Sequence, residues 1–117
     1  MAALTCKDSV RFKAFTPALL RILRGVHAVA SRLVKPDQVV ITSASDGVHS
    51  VGSRHYTHEA LDLRVHNFPT QTAVRAFVSA LRAELGPAFT VLYEGHGTPN
   101  AHIHVQPKKG TTYEGAV

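Results

Sequence analysis

The sequence has no tryptophan, one cysteine and one methionine in 117 residues. A single thiol, Cys6, excludes an internal disulfide and fits synthesis in a reducing compartment, so the fold must rest on its core. No apolar run approaches the ~18–20 residues that span a bilayer, and neither a transmembrane helix nor a membrane partner is expected. The opening MAALTCKDSVRF lacks a basic segment followed by an apolar one. It is therefore not read as a secretory signal; the expectation is synthesis in the cytoplasm, with any arrival at a cell wall coming by lysis or virion delivery. Also missing is a basic run interleaved with aromatics. The net charge is +5, but Arg11, Lys13, Arg21, Arg24, Arg32 and Lys35 disperse it, and most of it reads as solvated surface. Net charge alone does not support a nucleic-acid partner.

What the chain does have is histidine: eight residues, seven of them between positions 49 and 104. Imidazole is both the commonest side-chain metal ligand and a general acid or base near neutrality. Clustering raises the question of a site, and spacing has to answer it.

Length and composition fit one domain over 1–117 with a single modest core. Thr16-Pro17 predicts a helix start, Thr16 as N-cap and Pro17 in the first turn. Leu19, Leu23, Val26, Ala30 and Leu33 recur at helical spacing and are expected to face the core, with Lys35-Pro36 as the stop. QVVITSA, 38–44, reads as a strand and SDGVHSVGS, 45–53, as a loop. ALDLRV, 60–65, alternates: Leu61, Leu63 and Val65 on one face, Ala60, Asp62 and Arg64 on the other. Thr70 caps a second helix with Val74, Phe77, Val78, Leu81 and Leu85 inward, closed by Gly86-Pro87. AFTVLYE, 88–94, and AHIHVQ, 101–106, read as the last strands, and the tail from Pro107 as loose. The expected fold is α+β: a small, largely antiparallel sheet packed by two helices.

Asp62 falls on the polar face of one strand, and His102 and His104 on the polar face of another. If the strands pair, two imidazoles and a carboxylate converge, and His55 in the preceding loop can fold over them. His55, Asp62 and His104 would give zinc the three N/O ligands usual in a catalytic centre. Nickel or copper would accept similar ligands. Separate surface histidines and a salt-bridged aspartate would have the same spacing, so spacing alone leaves both readings open. HEALD, 58–62, is not a helical zinc-protease motif, because its neighbours alternate with period two.

Ser53-Arg-His55-Tyr-Thr-His58-Glu-Ala60-Leu-Asp62 resembles the S-x-H-x-x-G-x-A-x-D motif of the D-alanyl-D-alanine carboxypeptidase and dipeptidase group of zinc peptidases. That group includes phage L-alanyl-D-glutamate endolysins and shares a fold with the hedgehog signalling domain. AHIHVQ resembles the closing H-x-H strand of the group. His58 stands where the motif has Gly. The resemblance covers roughly 38–106 and implies a hedgehog/DD-peptidase-like fold. It also implies Zn2+ held by His55, Asp62 and His104, with His102 beside the metal or in catalysis.

The peptidases usually place an acidic residue three positions before the last ligand, where this chain has Ala101. TSASD, with Asp46, replaces their TSGYR-like strand end. DGVHSVGSRHY is similar to the hedgehog-type version, in which His49 lies six positions before the first ligand, and Glu94 resembles its strand-end Glu. The function implied is a zinc metallopeptidase cleaving D-amino-acid amide bonds in peptidoglycan stem peptides, as in a phage or prophage cell-wall hydrolase. In it, Glu94 is the general base, and His102 or His49 stabilises the oxyanion or protonates the leaving amine. The alternative is a hedgehog-like zinc-binding module with little or no catalysis. His58, His66 and His96 are read as surface residues.

Overall fold

Alternation decides which side of each strand meets the core. The computed structural model describes residues 4–33 and 39–117. Its elements are β1 (Thr5–Cys6), α1 (Pro17–Leu33), β2 (Val40–Ser43), β3 (Leu61–Arg64), α2 (Gln71–Leu85), β4 (Phe89–Glu94) and β5 (His102–Pro107). They form an α+β fold with a five-stranded mixed sheet in the order β1-β2-β3-β5-β4. β1 runs parallel to β2, and every other neighbouring pair is antiparallel. No helix among the described residues is long and apolar enough to cross a membrane.

Leu61 and Leu63 of β3, Ile103 and Val105 of β5 and Val91 of β4 share one core with the buried faces of both helices. The opposite face of the sheet is left to Asp62, Arg64, His102, His104 and Glu94. Leu63 is fully buried, and truncating such a side chain to alanine costs about 2–5 kcal/mol. In α1 the buried stripe runs through Leu19, Ile22, Val26, Val29 and Ala30, and Leu23 is half-buried. Leu33, expected to face the core, is instead 51% exposed, because it lies in the last turn, beyond the reach of the sheet. The two helices approach closely at Gly25, where a Cβ would stand 2.5 Å from Leu85 Cδ2. In α2 all five predicted inward residues are buried.

Both helix starts are capped as the sequence predicts. Thr70 Oγ1 accepts from Ala73 N at 3.1 Å, and Thr16 Oγ1 accepts from Leu19 N at 3.2 Å. The Thr16 hydroxyl also donates to His58 O at 2.8 Å, tying α1 to the long β2–β3 connection. The expected stop at Lys35-Pro36 and the expected strand start at Gln38 lie outside the described residues. The tail expected to be loose makes specific contacts. Pro107 belongs to β5, Lys108 N donates to Ala88 O at 2.8 Å, and Tyr113 packs on Phe89 with ring centroids 4.7 Å apart. Arg54 Nη2 donates to Thr111 O at 2.6 Å.

β4 is an edge strand. Arg82 of α2 donates from Nε and Nη2 to Val91 O at 3.1 and 2.7 Å, and His96 Nε2 donates to Tyr93 O at 2.7 Å.

At the other end of the sheet, the N-terminal segment is fastened by Asp46. Its Oδ1 accepts from Arg11 N at 3.0 Å and from Ala44 N at 2.9 Å. Burial pushes this carboxyl up, but the hydrogen bonds from Ala44, Arg11 and Ser43 outweigh it and hold its pKa below the ordinary 3.8. A depressed carboxylate pKa stabilises the fold above the unfolded value, and that stability is lost as pH falls through the folded one. Asp46→Ala is therefore expected to lower Tm by about 4 °C at pH 7, the equivalent of about 1 kcal/mol. The difference from the parent should shrink in acid below pH 3.8; thermal melts by circular dichroism between pH 2 and 7 check it.

Candidate metal centre

The register of β3 on β5 builds the floor of the site. Asp62 pairs with His104 and Arg64 with His102. Period-two alternation then puts all four side chains on the face away from the helices. On the next pair Glu94 of β4 faces His102, so the expected hairpin of 88–94 with 101–106 is formed. The loop after β2 supplies the wall. β2 carries a register shift between Ile41 and Ser43, and such a bulge re-aims the strand end. Ala44 O is thereby placed to accept from His55 Nδ1 at 2.6 Å. His49, Ser53, His55, Asp62, Glu94, His102, His104 and Gln106 all line one cleft of about 360 Å³.

His55 is 2% exposed. With Nδ1–H committed to Ala44 O, its Nε2 carries a lone pair. That atom is buried, has no hydrogen-bond partner, and lies 3.2 Å from Asp62 Oδ2. His104 meets the other oxygen: its Nδ1 is 2.8 Å from Asp62 Oδ1, and its Nε2 is 2.7 Å from Gln106 Oε1. His102 Nδ1 donates to Asn100 O at 2.7 Å, while its Nε2 lies 3.2 Å from Glu94 Oε1. Each of these three imidazoles thus faces an oxygen acceptor from both ring nitrogens. A neutral imidazole has one N–H. The second nitrogen in each case calls for a proton or a cation.

The pKa shifts follow from this crowding. Burial works against the Asp62 carboxylate, but the hydrogen bond from His104 and the charges of the adjacent His55 and His104 outweigh it and hold its pKa far below the ordinary value. For His104, burial favours the neutral form. The oxygens of Asp62 and Gln106 and the charges of Asp62 and Glu94 reverse that and raise its pKa.

Donor atoms of His49, His55 and Asp62 lie within 4.8 Å of one another and could hold a metal ion. The His49 ring stacks on His55 with centroids 3.9 Å apart, and its Nε2 is 2.7 Å from Asp46 O. Tyr56 fixes this histidine through the main chain: its hydroxyl accepts from His49 N at 2.7 Å and donates to His49 O at 2.9 Å. His49, read from the sequence as catalytic, therefore stands with His55 and Asp62. His104 stands across Asp62 from His55. The donor set of imidazole nitrogen and carboxylate oxygen suits zinc, and the unpartnered Nε2 of His55 is where a cation would bind.

Glu94 and His102 sit at the outer rim, with side chains 47% and 32% exposed. Gly95, at φ 70°, closes the turn beneath them; a Cβ there would lie 3.0 Å from Asn100 O, the acceptor that orients His102. Sequence reasoning missed Tyr56, Gln106 and Ser43, the last residue of β2, whose Oγ lies 3.3 Å from His49 Nε2. Gln106 was reachable, since it continues the polar face of His102 and His104. Tyr56 acts through loop geometry that no periodicity reports, and Ser43 meets His49 only because that loop folds back on the strand end.

No protein-family model matches the chain, and no curated protein matches it.

His66 and His96 are exposed, as read from the sequence, whereas His58 is half-buried. Its Nδ1 is 2.9 Å from Ser45 Oγ, it does not line the cleft of Asp62, and its backbone has φ 60°. That left-handed conformation is the physical reason a Gly suits the position. His58→Gly is expected to leave metal content unchanged and stability within about 1 kcal/mol, relief of backbone strain offsetting the lost hydrogen bond. Metal analysis and a urea melt of the variant check both; loss of metal would mean that His58 is a ligand.

Proposed function

We propose that this chain is a zinc-dependent peptidase acting on D-amino-acid amide bonds of peptidoglycan stem peptides, with a hedgehog/DD-peptidase-like fold. The observation that carries the reading is the buried, unpartnered Nε2 of His55 facing the carboxylate that His104 also contacts. The motif S-x-H…A-x-D and the H-x-H strand support the same assignment of His55, Asp62 and His104 as ligands, and His49 is close enough to join or replace one of them.

Bound there, zinc would polarise a peptide carbonyl and acidify water. The chain's own groups then divide the remaining work. Glu94, on the rim of the same cleft, takes the proton of the attacking water at its carboxylate. It returns that proton to the amine nitrogen as the C–N bond breaks. His102, whose Nδ1–H is held by Asn100 O, presents a donor at Nε2 to the developing oxyanion as the imidazolium, with a proton on both ring nitrogens. Ala44 O keeps the His55 tautomer that leaves Nε2 free, the usual duty of a group behind a metal-bound histidine.

A second reading, a metal-binding module with little catalysis, is favoured by Ala101 at the usual base position. The engagement of Glu94 by His102 also favours it.

Two measurements separate these readings. His55→Ala and His104→Ala are each expected to lose zinc by elemental analysis and to melt at lower temperature in its presence, because zinc stabilises only the state that binds it. Stoichiometric zinc in both variants would sink the ligand assignment. Glu94→Gln is expected to keep zinc and fold but to cleave stem peptides roughly 10²–10⁴-fold more slowly, read by mass spectrometry. Full zinc with no cleavage by the parent protein gives the module reading.

A further inference from the structure

A second cleft, of about 400 Å³, adjoins the first and shares Asp62 and His102 with it. Lys7, Thr42, Arg64, His66 and Asn100 line the rest of its polar wall. Its charge is one-sided. Asp62 is its only acidic lining residue among those described, and that carboxylate is already engaged by His55 and His104. Arg64 is half-buried, yet among the described residues neither it, Lys7 nor His66 has a hydrogen-bond or ion-pair partner for its side chain. An arginine held against a sheet with its five donors unmatched is unusual, since side-chain donors removed from water normally find acceptors.

Position gives this cleft a meaning. Arg64 follows Asp62 by two residues on β3, so it shares the polar face and stands ~7 Å further along the strand. Lys7 follows β1, where its N–H donates to Ile41 O at 2.9 Å, and it closes the side opposite Asn100. We infer that Lys7, Arg64 and His66 form a subsite for a carboxylate of the bound peptide, one residue beyond the bond that is cut. One peptide residue spans ~3.5 Å, which brings that carboxylate within reach of the guanidinium when the scissile carbonyl lies at the Asp62 cluster. The planar fork of Arg64 matches two carboxylate oxygens, and Lys7 adds a point charge.

The inference rests on the peptidase reading for its orientation, but binding and cleavage test the two separately. The zinc-loaded full chain is titrated with N-acetyl-D-alanine and with its amide, followed by NMR shifts of the Arg64 side chain and the Lys7 and His66 backbone amides. The free acid is expected to bind about ten- to hundredfold more tightly than the amide, the scale of a charge-assisted pair. Arg64→Met, which keeps the packing stem, and Lys7→Ala, at an exposed position, should each reduce that preference with circular dichroism unchanged. Equal binding of acid and amide, or an undiminished preference in both variants, overturns the subsite. Peptides ending in D-alanyl-D-alanine and in its amide are then digested in parallel. Cleavage of both at equal rates removes the subsite and keeps the peptidase. Selective binding of the acid with cleavage of neither keeps the subsite and removes the peptidase.

Discussion

Two imidazoles divide the oxygens of one carboxylate: His55 Nε2 stands against Oδ2 of Asp62, and His104 Nδ1 against Oδ1. The geometry depends on a single register, Asp62 opposite His104 in the β3–β5 ladder. Side chains alternate with period two, so a slip of one residue would send Asp62 into the core and bring Leu61 or Leu63 out to the cleft. The hydrophobic demand for buried Leu61, Leu63, Ile103 and Val105 is thus the same constraint that assembles the polar face. Folding energy and site geometry are not separable here.

The connection from β2 to β3 reaches that floor because it is held at several points. Thr16 at the start of α1, Ala44 after the β2 bulge and Thr111 in the tail each make a hydrogen bond to it. Arg54 and Glu59 close its turn with a 3.0 Å ion pair. A histidine on an untethered loop would lose considerable conformational freedom on binding a metal. Here much of that ordering is already done by contacts to a helix, a strand end and the C-terminal segment, so His55 presents Nε2 in a nearly fixed direction.

The sequence makes the helices and four of the strands readable because each has a period or a cap: Thr16 and Thr70 for the helix starts, alternation at Leu61–Val65 and Ile103–Val105 for the inward faces. β1 was not readable, since two residues carry no period and its pairing is set by β2. Leu33 shows the limit of helical spacing, which reports a face but not where the neighbouring layer ends. In the site, the convergence of His55, Asp62 and His104 follows from alternation once the strands pair. The placement of His49 beside them does not, because stacking on His55 and the Tyr56 hydroxyl bridge arise from loop conformation. The tail was misjudged for a similar reason: Tyr113 has a partner in Phe89 that only the tertiary fold supplies.

Glu94 sits at the exposed end of the edge strand β4. Such a strand also invites sheet growth, because unpaired peptide groups can accept a strand from another chain. Arg82 alters that balance. An incoming strand would have to displace two guanidinium donors from Val91 O and an imidazole donor from Tyr93 O before gaining its own bonds. The protein can therefore carry an open, accessible rim without inviting copies of itself to polymerise along it.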